Sequence, residues 1–479
     1  MTGRQGARLS ALDVSFLYME SATTPMHVGG VCVLEPPPEG FDYERLVELI
    51  SKRIGLVPRY RQKVRTVPGR LASPVWVDDE DFDVTYHVRR SALPKPGNRG
   101  QLKDLVARLQ SRPLDRSRPL WEIYLVEGLE GGRVGIITKT HHAMVDGISA
   151  VDIGTVILDA EPTPRDVPDD DWQPRKEPGA VTLLADAVVD LATRPTAALE
   201  TVRAAVTDVR STAGKIAEVA GGVLSQAKLM ARQAPESPLN TTIGEQRRFG
   251  MADTSLEDYR RVRRAHGGTV NDVVLAAVSG ALRAWLLTRG EKVTPTTVVR
   301  AMVPVSVRAD ADKGELGNRV SSYFVDLPVG EGSAVMRLHQ VTYAMRGHKE
   351  SGSAVGADAL VALTGFAPPT IHAVGARTAS NMTRRLFNLV VTNVPGPQFP
   401  LYAAGARMLS MYPVVPLAKD QAVSIGLTSY DGGVFYGLNA DRDSMTDVDV
   451  LAVCIEESLA ELVDSTRGTA RKTSKGGAQ

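Results

Sequence analysis

The stretch "KTHHAMVDGIS", residues 139–149, places two histidines side by side and an aspartate four positions after the second, in a chain with only 8 His among 479 residues. It overlaps "RVGIITKTHH" (133–142), whose apolar run is typical of a buried strand. Directly after it, "GISAVDIGTVILDA" (147–160) has apolar residues at helical spacing. The pattern predicts a buried strand that ends at the histidines and leads into a helix, a junction around which an α/β lobe can form.

Two interpretations of this stretch are open from the residues alone. In the structural one, Asp146 is the N-cap of the following helix, worth about 1 kcal/mol, and His141 and His142 are satisfied polar residues at a strand end. In the functional one, adjacent strand residues point to opposite faces, so only one histidine faces a given cavity. Gly147 would keep the approach to it open. A neutral imidazole there could act as a general base, since its ordinary pKa is about 6.5.

The motifs that the chain lacks limit the kinds of reaction it could catalyse. The chain has no G-x-S-x-G nucleophile elbow, no H-E-x-x-H, no phosphate-cradling glycine loop and no evident cluster of metal ligands, so no metal site is predicted. Cys32 and Cys454 lack the paired spacing of a disulfide or zinc site. What remains is direct transfer of an acyl or similar group from an activated donor to an alcohol or amine, with both substrates bound at once.

Composition sets the broad class. A chain of 479 residues with 43% hydrophobic residues can bury two cores. A formal net charge of +1 gives no global field for nucleic acid or for an anionic membrane. There is no signal-peptide pattern and no apolar run of about 18 residues. Together with the cysteine usage, these features predict a cytoplasmic protein without a spanning helix.

Strand-like and helix-like segments alternate along the chain, which predicts an α/β fold in two lobes. We expect an N-terminal lobe at 1–160 that carries the histidine motif, and a C-terminal lobe at 251–465. Residues 161–250 are expected to be a linker with a variable helical segment, and 466–479 a disordered tail. The Ala- and Val-rich part of the linker, 181–232, predicts two or more amphipathic helices that pack on the protein body.

"HHAMVDG" (141–147) resembles the HH-x-x-x-D-G signature of the CoA-dependent acyltransferase superfamily. Further stretches resemble the bacterial wax ester synthase / acyl-CoA:diacylglycerol acyltransferase family, and they follow the expected order over nearly the whole chain. They are "LSALDVSFL" (9–17), "RPLWE" (118–122), "PLN" (238–240), "VNDVVLA" (270–276), "PVSVR" (304–308), "LGN" (316–318) and "TNVPGP" (392–397). In combination these motifs are specific for that family.

The resemblance implies two chloramphenicol-acetyltransferase-like lobes, with mixed sheets flanked by helices and an active-site tunnel between the lobes. By motif position, His142 is the general base and His141 a neighbour with a lesser role. Asp146 is implied to be structural, paired with an arginine from elsewhere in the chain. Arg308, at the end of a predicted strand, is the candidate partner, with a solvated strand-end charge as the alternative.

Three polar residues of the C-terminal lobe are candidate site residues. Asn271 and Asp272 open a predicted helix, where capping is the structural interpretation, and the resemblance implies that they also shape the site. Asn393 precedes a Pro-Gly-Pro turn, and direct substrate contact and a purely structural role are equally open for it. In the N-terminal lobe, Trp121 of "RPLWE" is expected to pack in the core rather than to touch a ligand.

We therefore expect an acyltransferase that moves a long-chain acyl group from acyl-CoA to the hydroxyl of diacylglycerol or of a long-chain alcohol, with no cofactor. It should meet these lipids by peripheral contact at a membrane or lipid-droplet surface. Two alternatives stay open: a carrier-protein-dependent acyltransferase or condensation-type enzyme, and a non-catalytic lipid-surface binding protein. Acceptor preference, acyl chain length and oligomeric state are not encoded in the motifs.

Overall fold

The computed structural model describes residues 7–70, 72–145, 153–193, 233–306, 320–350, 355–356 and 386–473. In chain order its strands are β1 (Ala7–Arg8), β2 (His27–Glu35), β3 (Gln62–Arg65), β4 (Val75–Asp78), β5 (Val88–Ala92), β6 (Trp121–Glu127), β7 (Val134–His141), β8 (Arg247–Ser255), β9 (Val299–Ser306), β10 (Val320–Leu327), β11 (Val355–Gly356), β12 (Leu389–Pro395), β13 (Tyr402–Ala403), β14 (Ala406–Val414), β15 (Val423–Tyr430) and β16 (Gly433–Asp441). The α-helices are α1 (Ala11–Met19), α2 (Tyr43–Arg53), α3 (Val84–His87), α4 (Arg99–Gln110), α5 (His142–Val145), α6 (Ile153–Ile157), α7 (Ala180–Thr193), α8 (Leu256–His266), α9 (Val270–Thr288), α10 (Ala334–Glu350) and α11 (Val448–Thr473).

Two mixed sheets divide the described chain into two lobes. The N-terminal sheet has six strands in the order β13-β14-β2-β7-β6-β5, and the C-terminal sheet has seven in the order β11-β10-β9-β12-β15-β16-β8. Each sheet combines antiparallel pairs with parallel ones: β5 runs parallel to β6, and β12 runs parallel to both β9 and β15. A small sheet, β1-β4-β3, completes the N-terminal lobe. The predicted α/β class with mixed sheets and flanking helices is confirmed.

The helices begin where the sequence supplies caps. Ser10 and Asp13 form a reciprocal capping box at the start of α1, and Thr269 and Asp272 form another at the start of α9. Within the described residues, α9 is the one helix long and apolar enough to cross a membrane, but most of it is buried in the C-terminal core. The caps fix where each of these two helices starts.

The predicted range of the C-terminal lobe, residues 251–465, needs two corrections. Strands β13 and β14 fall inside the range 251–465, yet they extend the N-terminal sheet, where β14 pairs antiparallel with β2. Two glycines of the C-terminal sheet admit this crossing segment: a Cβ at Gly437 would lie 1.9 Å from the Pro413 carbonyl oxygen, and one at Gly426 would lie 2.7 Å from Val415 Cγ2. The C-terminal sheet also starts earlier than predicted, at Arg247.

The predicted tail also needs correction. Helix α11 continues to Thr473, past residue 466 where disorder was expected. Its continuation is held by tertiary contact, because the Thr466 hydroxyl is buried and accepts a hydrogen bond from Arg261 Nε of α8 at 2.9 Å. Of the helices predicted at 181–232, α7 covers the first part to Thr193, and residues 194–232 lie outside the described chain.

The lobes meet along α4. Its buried face belongs to an apolar cluster that includes Phe249 and Met251 of β8 and Tyr412 of β14. At the edge of this cluster, Arg99 forms a bidentate pair with Asp253 of the other lobe, with N–O distances of 2.6 and 3.2 Å. The two lobes are therefore joined by packing as well as by the exchanged strands. The tunnel that the resemblance implies between them stays a prediction.

Candidate active site

The histidine pair lies where β7 ends and α5 begins. The backbone N–H of His141 donates to the Leu120 carbonyl at 2.9 Å, and that of His142 donates to the Met26 carbonyl at 2.8 Å. Leu120 and Met26 directly precede β6 and β2, the two strands that flank β7 in the sheet, so the starts of both strands hold the histidines in place. As predicted, the pair lies at the end of a buried strand, and a short helix, α5, begins at His142. Residues 146–152, where the helix predicted to begin near Gly147 would start, lie outside the described chain.

His141 is a buried, neutral cap. Its side chain is 1% exposed, and its Nδ1 accepts a hydrogen bond from the Ala143 backbone N–H at 3.0 Å. Because Nδ1 is an acceptor here, the ring proton is on Nε2. Burial lowers the pKa of His141 to about 3, so the ring is uncharged at neutral pH. His141 therefore serves as the N-cap of α5 and fixes the backbone that follows His142.

Glu20, which belongs to none of the sequence motifs, lies on the proton-bearing side of His141. Its Oε2 lies 3.7 Å from His141 Nε2, and its Oε1 lies 3.5 Å from Nε2 of His27. Arg116 donates to the same carboxylate, with Nε 3.0 Å from Oε2, and to the Leu17 carbonyl at the end of α1. Glu20, His27, His141 and Arg116 together form what we call the Glu20 cluster.

The electrostatics of the Glu20 cluster keep its carboxylate ionised. Burial alone would raise the pKa of the Glu20 carboxyl, but the histidine beside each oxygen and the Arg116 guanidinium lower it to about 2. Burial also lowers the pKa of His27, so that ring is neutral as well. A signal for Glu20 was present in the sequence, because it lies four residues after Phe16, a spacing that puts both on one helix face.

His142 differs from its neighbour in exposure. Its side chain is partly exposed, and its ring stacks on Phe16 of α1 with the centroids 4.0 Å apart and the planes at 28°. Helix α1 thus places Phe16 against one histidine and, at its end, Glu20 beside the other. The prediction that only one of the two rings can meet a substrate therefore singles out His142.

Lys139, two residues before His141, anchors β7 to the end of α4. Its side chain is fully buried, and its ammonium donates to the carbonyl of Leu109 in the last turn of α4 at 3.1 Å and to that of Arg112, two residues after the helix ends. Glu122 Oε2 is 3.7 Å away on the neighbouring strand. Burial lowers the pKa of Lys139 to about 8. The first residue of the quoted stretch therefore fixes β7 to the helix at the lobe interface.

The "RPLWE" motif has the packing role predicted for it. Trp121 is 1% exposed, donates its indole N–H to the Tyr60 carbonyl at 2.7 Å, and stacks on His87 at a centroid distance of 4.5 Å. Leu120 is equally buried and supplies the carbonyl that holds His141. The motif supports the histidines through the backbone and the core.

The structure brings two of the three C-terminal candidates together. Asn393 Nδ2 donates to Asn271 Oδ1 at 3.1 Å, which ties the start of α9 to the C-terminal end of β12, the central strand of the sheet. Asp272 accepts from the Thr269 backbone N–H at 2.8 Å, so it has the capping role expected from its position. The Asn271–Asn393 pair is a side-chain contact that sequence spacing alone could not show.

The remaining predicted site residues lie outside the described chain. These are Asp146, Gly147 and Arg308, so the predicted Asp146–Arg308 pair stays a prediction. Within the ranges that the structure describes, no three His, Cys, Asp or Glu side chains are grouped so as to hold a metal ion. At the junction of β7 and α5, the described residues provide a partly exposed imidazole, that of His142, held between the sheet and α1.

Family models match both halves of this chain. The wax ester synthase/diacylglycerol acyltransferase catalytic domain matches residues 9–274, and the WS/DGAT C-terminal domain matches residues 316–463. The chain is 51% identical over 257 residues to a Mycobacterium tuberculosis protein named probable diacylglycerol O-acyltransferase tgs3, a match that covers 53% of this chain and 95% of that protein.

Solved structures show the same relationship at the level of the fold. The wax ester synthase/diacylglycerol acyltransferase from Marinobacter aquaeolei VT8 is 30% identical with a TM-score of 0.66, covering 96% of this chain and 100% of that one. The first condensation domain of the CDA synthetase is 16% identical with a TM-score of 0.53, covering 97% of each chain, and this likeness concerns the fold alone.

Proposed function

Because this chain belongs to the wax ester synthase/diacylglycerol acyltransferase family, we propose that it transfers a long-chain fatty acyl group from acyl-CoA to the hydroxyl of diacylglycerol, and also to that of long-chain alcohols. The observation that carries the proposal is the contrast within the histidine pair. His141 is buried, neutral and engaged as a cap, whereas His142 is partly exposed at the junction of β7 and α5. That contrast supports His142 as the general base.

The proposed reaction needs one proton acceptor and no covalent enzyme intermediate. The His142 imidazole takes the proton of the acceptor hydroxyl as the oxygen attacks the thioester carbonyl. The C–O bond of the ester forms, the C–S bond breaks, and the CoA sulfur leaves with the proton that the imidazolium returns. Acyl-CoA is a substrate in this scheme, and no cofactor takes part.

Other residues support this base rather than react. His141 would fix the turn that follows the base, and Phe16 would restrict the rotation of its ring. We assign Asp146 and Arg308 a structural pair, Gly147 an open approach to the base, and the Asn271–Asn393 contact a part in shaping the C-terminal side of the site.

The location of the enzyme follows from its substrates. Diacylglycerol and long-chain alcohols are confined to membranes and lipid droplets, so we propose a cytoplasmic protein that contacts such a surface peripherally, with neither nucleic acid nor a carrier protein as partner. Fractionation of cells tests this: release of the membrane-bound protein by salt or alkaline wash is expected, and release by detergent alone would contradict it.

A pair of variants tests the function. Purified protein is given palmitoyl-CoA with diacylglycerol, and separately with hexadecanol. His142→Ala should lower the rate on the order of 100- to 10,000-fold, because a positioned base is lost, while the melting temperature stays unchanged. His141→Asn, which keeps an acceptor for the Ala143 N–H, should retain most of the activity.

Two results would contradict the proposal. A His142→Ala protein that keeps most of its rate at unchanged stability would exclude His142 as the base. Wild-type protein that transfers palmitate only from a carrier-bound thioester, or not at all, would favour the condensation-type or the non-catalytic alternative.

A further inference from the structure

Glu20 is a buried carboxylate that the proposed reaction does not use. Its side chain is 11% exposed, whereas the side chain of Arg116, its ion-pair partner, is 52% exposed. Removing a carboxylate from water is costly even when the carboxylate is paired. An ion pair with a half-exposed arginine could form equally well at the surface, so this pair alone does not explain why Glu20 is buried beside two histidines.

The Glu20 carboxylate lies beside the rings of both His27 and His141. These two residues are opposite each other on β2 and β7, and their ring centroids are 6.3 Å apart with the planes at 71°. Glu20 Oε1 is 3.5 Å from His27 Nε2, and Oε2 is 3.7 Å from His141 Nε2. The second distance is too long for a hydrogen bond. The carboxylate therefore acts on His141 through the attraction between its charge and the N–H dipole of the ring.

The contacts at the two ends of the His141 ring favour the same tautomer. At one end, Nδ1 accepts the Ala143 backbone N–H at 3.0 Å and must keep its lone pair. At the other end, Nε2 faces the Glu20 carboxylate, which attracts an N–H and repels a lone pair. Moving the proton to Nδ1 would set two N–H groups against each other and a lone pair against the carboxylate. Glu20 thus stabilises the tautomer that caps α5.

The position of Glu20 is fixed through the end of α1. Its backbone N–H donates to the Phe16 carbonyl at 3.2 Å, and Arg116, which binds the carboxylate, also donates to the Leu17 carbonyl at 2.9 Å. Phe16 stacks on the His142 ring. One short segment of the chain therefore contacts both histidines of the motif, Phe16 on the second ring and Glu20 beside the first.

We propose that Glu20 is a positioning residue for acyl transfer, which favours the Nε2–H tautomer of His141 and thereby maintains the cap that fixes the backbone of His142. The proposal rests on the proposed role of His142 as the general base. It adds a residue that acts through another side chain rather than on a substrate. Removing the Glu20 carboxylate should therefore lower kcat and leave the KM for both substrates near the wild-type value.

Two substitutions at residue 20 test the effect on turnover of palmitoyl-CoA with hexadecanol. Glu20→Met has a similar length but no oxygen, and it should lower kcat about tenfold, because a small misplacement of a base has an effect of this order. Glu20→Gln keeps one oxygen that can accept from Arg116 and face the His141 N–H, so it should retain kcat within about threefold of the wild type. A Glu20→Met protein with the wild-type kcat would overturn the proposal.

Glu177→Met is the matched control for the loss of a paired carboxylate. Glu177 is ion-paired with Arg65 and with Lys63, as Glu20 is with Arg116, and its side chain is also largely buried. Its partners are cations rather than histidines, so this variant should keep the wild-type kcat even if its melting temperature falls. A loss of kcat as large as that of Glu20→Met would show that any broken ion pair has this effect and would overturn the proposal.

A double-variant cycle separates positioning from general destabilisation. In His141→Asn the asparagine oxygen holds the Ala143 N–H and there is no tautomer to select. Adding Glu20→Met to this protein should therefore lower kcat by less than about twofold. The lost Arg116 pair should lower the melting temperature by similar amounts in both backgrounds. A tenfold loss of kcat in both backgrounds would mean that Glu20 does not act through His141, and it would overturn the proposal.

The tautomer of His141 can be measured without turnover. Long-range ¹H–¹⁵N spectra of protein labelled with ¹⁵N-histidine distinguish Nδ1–H from Nε2–H rings, and His141→Asn identifies the signals of this residue. We expect the Nε2–H form in the wild type and a larger Nδ1–H fraction in Glu20→Met. An unchanged tautomer would overturn the proposal and leave the acyltransferase function intact. A tautomer that responds to Glu20, in a protein whose His142→Ala variant keeps its activity, would support the control of His141 by Glu20 and reject His142 as the base.

Discussion

Because His141 stays neutral in the folded protein, the free energy of unfolding should fall as the pH falls. Its ordinary pKa of 6.5 is lowered to about 3 in the folded protein by burial. Below about pH 6.5 the unfolded chain therefore binds a proton that the folded protein refuses, and stability falls as the pH falls. Each pH unit costs about 1.4 kcal/mol per such group, so the fall from about pH 6.5 to about pH 5 costs about 2 kcal/mol.

The substitution His141→Asn isolates this contribution. Asparagine is a favourable N-cap whose side-chain oxygen can accept the Ala143 N–H in place of Nδ1, and it does not titrate. Free energies of unfolding from urea titrations at about pH 7 and about pH 5 should show the wild type losing about 2 kcal/mol more than the variant. His27 has its pKa lowered in the same direction and remains in both proteins, so some acid sensitivity should persist.

The choice of pH window keeps Glu20 out of the measurement. Its pKa is lowered from 4.5 to about 2, so the stability it contributes is complete above about pH 4.5 and is lost only as the pH falls through the range below. If wild type and His141→Asn lose equal stability between the two pH values, His141 is not held neutral by burial and its capping role is wrong.

Two further predictions concern stability. Asp146→Asn and Arg308→Met should each destabilise the protein by about 3 to 5 kcal/mol if they form a buried pair, and the double variant should lose less than the sum; additive losses in urea titrations would exclude the pairing. Gly437→Ala puts a methyl group 1.9 Å from the Pro413 carbonyl oxygen and should cost about 3 kcal/mol or more, whereas Gly347→Ala, with open space on α10, should be neutral or stabilising by about 1 kcal/mol. Thermal and urea denaturation compare the stability of the two variants. Equal stability would show that the segment around Pro413 can shift to accept a methyl group at residue 437.

Periodicity predicted most individual elements because each depends on nearby residues. The strand that ends at His141, the helix from Val270 and the hairpin partners around residues 121–141 all follow from local alternation, helical spacing and capping residues. The partner of β14 could not be predicted in this way. Its alternation is the same whichever sheet it joins, and the choice depends on distant glycines at 426 and 437 that let the chain pass.

Only part of the site could be predicted from the sequence, again because sequence patterns show local relationships and not distant partners. The adjacent histidines are visible as a motif, but their different exposure arises because the strand ends at His141 and α5 begins at His142, which the sequence did not show. Lys139 carries no such mark, and the only mark of Glu20 is its spacing from Phe16, because the role of a charged residue depends on partners that are distant in sequence. For Glu20 these partners are His141 and Arg116, and for Lys139 they are the last carbonyls of α4.

These contacts give a physical reason why His142 directly follows His141. A ring at the last strand position can reach the backbone N–H two residues on, and that hydrogen bond turns the chain into α5 at the intervening residue. The intervening residue is His142, whose side chain then leaves the strand at a fixed angle with Phe16 against its face. If the pair were reversed in role, the buried ring would have to titrate during turnover, at the energetic cost that holds His141 neutral. The backbone therefore gives the two histidines different positions: His141 is buried and caps the turn, and His142 is partly exposed at the start of α5, which is the position that the proposed base requires.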